Sequence, residues 1–207
     1  MGRSVTVTGR GQASAPHDQA TLRLAATARA ANPSDATARA TYSMAGMRDA
    51  VVAAGADPAK LATTHVSLSP VHDPWPTVVG YEATLGLAVR ITDLDHVGSL
   101  LVAAVGAGGD GARVDGIEFS HSDPAGLASQ AREAAYADAV AKAGQYAGLA
   151  GQALGEVRHV VEAATGGGPM PRVMAMAAST DAGLPIDGGE GTVGAVLTVT
   201  WALGPSV

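Results

Sequence analysis

The order of extended and helical segments is the feature that most restricts what this chain can fold into. Seven segments have the pattern of strands, and three have apolar residues at helical spacing. They predict the order β-β-α-β-β-α-β-α-β-β, an α+β fold with three helices and an antiparallel-rich sheet. Residues 20–122 alone have the order β-α-β-β-α-β, which is that of a ferredoxin-like split unit. We expect a single domain over residues 1–207.

The longest helix is predicted from about residue 124 to 149, after an N-cap at Asp123. Small residues recur along two of its sides. The first side comprises Ala128, Ala131, Ala135, Ala139, Ala143 and Tyr146, and the second comprises Ala134, Ala137, Ala141, Gly144 and Gly148. A helix that packs on a single core usually has a charged face opposite its apolar stripe, and this helix lacks one. We therefore expect the second side to contact a neighbouring subunit of a homo-oligomer.

Composition excludes several classes of function. The 13 Lys and Arg residues against 19 Asp and Glu give a net charge of −6 without long runs of one sign, which argues against nucleic-acid binding. The chain has no cysteine, so thiol catalysis, cysteine metal sites and disulfides are excluded. The longest apolar runs are far shorter than the ~20 residues that a membrane span needs.

The first residues bear on the location of the protein. They enter a strand pattern at once, without the basic and apolar stretches of a signal peptide. We therefore expect a cytoplasmic location, and a periplasmic or secreted one if a leader has been removed.

A Gly-x-Gly sequence, Gly9-Arg10-Gly11, follows the first alternating run. In nucleotide-binding proteins such glycines lead into a helix whose N-terminus binds phosphate. Here another strand pattern follows, and the third glycine of the dinucleotide-binding motif is missing. We expect these glycines to mark a bulge or a close backbone crossing beside a strand.

A metal or small-molecule binding protein is one alternative. It would use His72 and Asp73 in the Pro-rich turn at 72–75, together with a Met-rich loop. That loop, 164–191, is rich in Gly and Pro, and we predict that it is mobile. Its methionines are Met170, Met174 and Met176. The six histidines lack the spacings His-x-His and His-x-x-x-His, so we expect no metal and no cofactor.

A hydrolase is the second alternative, because Ser120, His121, Ser122 and Asp123 are consecutive. Adjacent residues of a strand face opposite sides, which works against a catalytic triad. Asp123 precedes Pro124 and has a simpler role as the N-cap of the long helix. We therefore expect no catalytic residue and no enzyme activity.

Several stretches together resemble the SIMPL-domain family, which includes bacterial periplasmic immunogenic proteins and proteins linked to oxidative-stress defence. The clearest are "GYEA" followed by "DLD", and "FSHSDP" before the Ala-rich helix, within a likeness that extends from about Val5 to Leu203. The resemblance implies an α+β fold and assembly into rings, and it brings no catalytic residues. We expect a non-enzymatic, self-assembling protein, for which the resemblance suggests a role in stress response.

Overall fold

The computed structural model describes residues 2–163, 184 and 186–205, and its elements follow the predicted order. The strands are β1 (Ser4–Pro16), β2 (Gln19–Ala30), β3 (Leu61–His72), β4 (Val78–Ile91), β5 (Ala112–Ser120), β6 (Leu154–Glu162) and β7 (Glu190–Leu203). The helices are α1 (Pro33–Ala53), α2 (Val97–Gly108) and α3 (Pro124–Leu149). The described chain forms two compact units, the first from residues 2–16, 121–163 and 189–205, and the second from residues 17–120, 184 and 186–188.

The second unit is a four-stranded antiparallel sheet, of order β3-β4-β2-β5, with the helices α1 and α2. β4 lies between β2 and β3, the two strands that α1 connects, which is the arrangement of a split β-α-β unit. The ferredoxin-like unit predicted for residues 20–122 is therefore confirmed. It forms because alternate residues of its strands are apolar and the helices bury the face that those residues make.

One apolar cluster holds this second unit together. Leu22 and Leu24 of β2 and Val89 of β4 pack with Met47 and Val51 of α1, and all five are almost fully buried. α2 adds Val97, Leu100, Leu101 and Ala104. The opposite face of the sheet carries ion pairs instead, namely Arg23–Glu118 at 2.7 Å and Arg29–Glu82 at 2.6 Å.

The first unit is a three-stranded antiparallel sheet, of order β1-β7-β6, with α3 packed on one face. β1 and β7 pair without interruption over residues 4–16 and 190–202. On the face away from α3, hydroxyl groups pair across these two strands. The pairs are Thr6–Thr200 at 2.9 Å, Thr8–Thr198 at 3.2 Å and Ser14–Thr192 at 2.8 Å.

α3 approaches β1 closely because glycine occupies two strand positions that face the helix. A Cβ atom added to Gly9 would lie within 3.0 Å of the Ala135 carbonyl oxygen, and one added to Gly11 equally close to that of Ala131. Real Cβ atoms essentially never make such contacts. The helix meets the sheet through small buried residues: Ala131, Ala135, Ala139, Ala143 and Ala147. The two glycines thus lie inside one continuous strand and serve a close backbone crossing, one of the two roles predicted for them.

Three sequence predictions about these elements have different outcomes. The first side of α3 is correct from Ala131 to Ala143 but wrong at its end, because Tyr146 is 54% exposed and Ala147 is buried in its place. The contact follows the i, i+4 row of the helix. Most of the predicted mobile loop, 164–191, lies outside the described residues, which include only 184 and 186–191 of it, and its last two residues begin β7. The single domain over 1–207 stays a prediction.

β1 is an edge strand, and two side chains of α3 bind backbone groups in the middle of its free edge. The Asp138 carboxylate accepts a hydrogen bond from the backbone N–H of Arg10 at 2.8 Å. The Lys142 ammonium donates to the backbone oxygen of Thr8 at 3.1 Å and to Asp138 at 2.6 Å. The hydrogen bond from Lys142, and then that from Arg10, hold the pKa of Asp138 below its ordinary value. Two backbone groups that the edge strand would leave open, the N–H of Arg10 and the oxygen of Thr8, are therefore occupied by the same chain.

Replacing Gly11 by alanine should lower the free energy of unfolding by about 1–3 kcal/mol, the usual cost of overpacking. The new methyl group would meet the backbone of α3. Thermal denaturation followed by circular dichroism measures the change. Gly106→Ala in α2 is the control, because nothing lies within 4 Å of the position of its added Cβ and alanine favours a helix. Equal stability of Gly11→Ala and the wild type would contradict the close crossing.

Asp138→Asn should destabilise the protein at neutral pH, because an amide replaces the charged acceptor of Lys142. The folded pKa of Asp138 is lower than the ordinary value of 3.8, so its contribution is complete above that value and is lost as the pH falls through the folded pKa. Urea denaturation across acidic pH should show the difference between wild type and variant disappearing there. A difference that does not change with pH would argue against the ion pair.

Candidate functional site

β3 and β4 form a long hairpin in the second unit, with an ordered turn at its tip. Backbone hydrogen bonds close the turn, from Asp73 N–H to the Thr77 oxygen at 3.1 Å and from Thr77 N–H to the Pro74 oxygen at 2.9 Å. The rings of His72 and Trp75 are tilted against each other with centroids 4.4 Å apart. The tip is therefore held in one conformation by its own backbone and by a ring contact.

The hairpin exposes large apolar side chains. Val66 is 68% exposed and Trp75 is 77% exposed. Val66 pairs with Leu85 and so lies on the helix-bearing face of the sheet, but no element covers it there among the described residues. We call the exposed apolar residues of this hairpin the hairpin surface: Val66, Leu68, Trp75, Val78 and Val79. Val78 and Val79 are consecutive in β4 and so face opposite sides of the sheet, and the five side chains together mark the hairpin, rather than one of its faces, as a candidate interaction site.

The four edge strands of the two sheets differ in their protection. β1 has two of its open backbone groups occupied by side chains of α3. β5 and β6 each carry charged residues, which oppose pairing with another chain: Arg113, Asp115 and Glu118 on β5, and Glu156, Arg158 and Glu162 on β6. β3 contains no Asp, Glu, Lys or Arg. It has a proline, Pro70, and register shifts at 63–65 and 71–72, which limit regular pairing to the residues between them. β3 is the edge most open to a partner.

The second side of α3 is exposed along its whole length. Its members are Ala134, Ala137, Ala141, Gly144 and Gly148. Tyr136 and Val140 are exposed beside it. The second side therefore does not pack within the described part of the chain. Small residues allow the large side chains of a partner to approach the helix backbone closely.

In the part of the chain that the structure describes, His72 and Asp73 are not grouped with other potential metal ligands. His72 contacts Trp75, and the backbone of Asp73 closes the turn. Within residues 2–163, 184 and 186–205, no three His, Asp or Glu side chains are grouped to hold a metal ion. Met170, Met174 and Met176 lie outside the described residues, so a site that uses them stays a hypothesis.

The consecutive residues of the hydrolase alternative have structural roles at two of their positions. Ser120 ends β5, and its backbone oxygen accepts a hydrogen bond from the N–H of Asp18 at 3.3 Å. The Asp123 carboxylate accepts one from the N–H of Gly126 at 2.8 Å, which confirms the predicted N-cap of α3. A hydrolase function stays a hypothesis. The Asp123 carboxylate does not support it, because this group already caps α3.

Sequence reasoning named the turn at 72–75 as an alternative binding site but missed the exposed strand residues of the hairpin surface. A signal was present, because residues 61–81 contain a single charged residue, Asp73. A solvated surface segment of this length usually carries several charges. The strand pattern alone does not indicate how far a helix covers the strand.

Comparison with known proteins gives both a family and relatives. The sequence matches the family described as SIMPL, protein of unknown function (DUF541), over residues 5–201. It is similar to proteins of Brucella melitensis and Brucella abortus that are both named 26 kDa periplasmic immunogenic protein. Each is 29% identical over 217 residues, which cover 96% of this chain and 84% of the relative. The resemblance predicted from the sequence is confirmed, whereas the expected cytoplasmic location has no support from these relatives.

None of the described helices is both long and apolar enough to cross a bilayer.

Proposed function

The chain belongs to the SIMPL family, whose function is unknown, and from this premise we propose that it is a non-enzymatic protein that assembles into a homo-oligomer through the hairpin surface. The observation that carries the proposal is the β3 edge. It is long, exposed and free of charged residues, whereas the other edges are charged or have backbone groups occupied by side chains. An open edge beside exposed apolar residues favours association with another chain.

The partner that we propose is a second copy of the chain. The hairpin surface offers large side chains, and the second side of α3 offers small ones on which they can pack. These are two unlike surfaces of one chain, so a contact between them is head to tail. Head-to-tail contacts close into a ring when the rotation between copies allows it. Such a ring agrees with the assembly that the family resemblance implies.

We also propose a periplasmic location, because both Brucella relatives are named as periplasmic proteins. A role in stress response rests on the resemblance alone. Osmotic shock of the native host should release the protein with periplasmic markers. Retention with cytoplasmic markers would contradict this location.

The assembly is tested by light scattering coupled to gel filtration. The wild type should have a mass that is a multiple of 20.4 kDa. Val66→Glu and Ala137→Glu should each reduce the mass to one chain, because each would place an unpaired charge in a desolvated contact. Val102→Glu is the matched control, since Val102 of α2 is 60% exposed and lies outside both surfaces. That variant should keep the wild-type mass.

Mixing the two disrupted variants separates a head-to-tail contact from a symmetric one. The Val66→Glu chain keeps an intact α3 side, and the Ala137→Glu chain keeps an intact hairpin. An equimolar mixture should therefore form complexes of two chains. A mixture that stays monomeric would show that these two surfaces do not bind each other, and a wild-type mass of 20.4 kDa would overturn the assembly itself.

A further inference from the structure

Two cations lie side by side on the face of the second unit's sheet that the helices leave open. Arg90 of β4 pairs with Thr21 of β2. Because Leu61 pairs with Val89, extending that register by one residue brings Lys60 across from Arg90. Lys60, Arg90 and Thr21 line a cleft of about 250 Å³, whose other lining residues are uncharged: Ala59, Leu61, Ala62 and Ala88.

Neither cation has an anionic partner within the described part of the chain. The ion pairs there involve other residues, and the side chains of Lys60 and Arg90 make no hydrogen bond with a described residue. Two carboxylates, Asp57 and Asp93, lie with both cations around an adjoining cleft of about 380 Å³. Both are already engaged, because Asp57 caps a short 3-10 turn and Asp93 pairs with His96 at 2.9 Å. The smaller cleft therefore has two positive charges and no negative one.

We propose that this smaller cleft binds an oxyanion, the phosphate or carboxylate group of a small molecule. Like charges directly across a sheet repel, and a bound anion would remove that repulsion. The planar guanidinium of Arg90 can donate to two oxygens in parallel, the ammonium of Lys60 adds a second charge-assisted bond, and the hydroxyl of Thr21 can donate a third contact. Ala62 and Ala88 add only methyl groups to the lining of this cleft, so they leave room for an anion beside the three polar groups.

The probe is inorganic phosphate, titrated into the full-length chain and followed by the width of its ³¹P resonance. The wild type should broaden this resonance, and the broadening should decline as the added phosphate exceeds the binding sites. The double variant Lys60→Gln/Arg90→Gln should bind about tenfold or more weakly, because two charge-assisted hydrogen bonds are lost. Arg39→Gln/Arg48→Gln is the matched control, since it removes two exposed positive charges from α1 and should keep the wild-type affinity.

Thermal denaturation distinguishes the two sources of the oxyanion. Phosphate and succinate are compared with sodium chloride at equal ionic strength, and the anion that binds should raise the midpoint in the wild type and not in Lys60→Gln/Arg90→Gln. Equal ³¹P broadening in both double variants would overturn the proposal. So would the absence of ³¹P broadening in the wild type, if succinate also leaves its denaturation midpoint unchanged. Loss of the oligomeric mass in Lys60→Gln/Arg90→Gln, without any effect of either anion on the wild type, would assign the cations to a subunit contact instead.

Discussion

The contact between α3 and β1 is the constraint on which the first unit depends. Two glycines remove the side chains that would hold the helix away, so the backbones of helix and strand approach each other directly. Only at this short separation can Asp138 and Lys142, one helical turn apart, reach the backbone of the edge strand. The hydrogen bonds from the helix side chains to the strand therefore depend on the close packing that the glycines allow. A larger residue at Gly9 or Gly11 would disturb both the packing and these hydrogen bonds to the edge.

The second unit manages its edges differently. Its core is built from large aliphatic side chains, and its helices cover the middle of the sheet but leave the outer part of the β3–β4 hairpin exposed. The edge strand there has no Asp, Glu, Lys or Arg, and no side chain of the described residues binds its outer backbone groups. Within the described residues, the chain thus combines an edge that it partly occupies itself with an edge that it leaves open. This difference between the two edges, more than the number of apolar residues, is the feature of the fold that favours association with another copy.

Local patterns were sufficient to predict the order of elements, the start of α3 at Asp123 and most of its buried side. Those features depend on periodicity and on caps within a few residues. From the sequence, the role of Gly9 and Gly11 was limited to a bulge or a close backbone crossing. Which of these two roles they have depends on the element that packs on the strand. The Arg10–Asp138 contact joins residues 128 positions apart, and no local pattern indicates it. The exposure of Val66 depends in the same way on where α1 stops covering the sheet.

The alanine row of α3 has a consequence for how stability depends on temperature. The heat-capacity change of unfolding grows with the apolar area that unfolding exposes. Each alanine of that row buries only a methyl group, whereas the second unit buries leucine, valine and methionine side chains. The large apolar side chains of this contact come from the sheet instead, namely Val7, Leu197, Val199 and Trp201. We therefore expect the heat-capacity change of this contact to come mainly from the sheet side chains and only to a small extent from α3 itself.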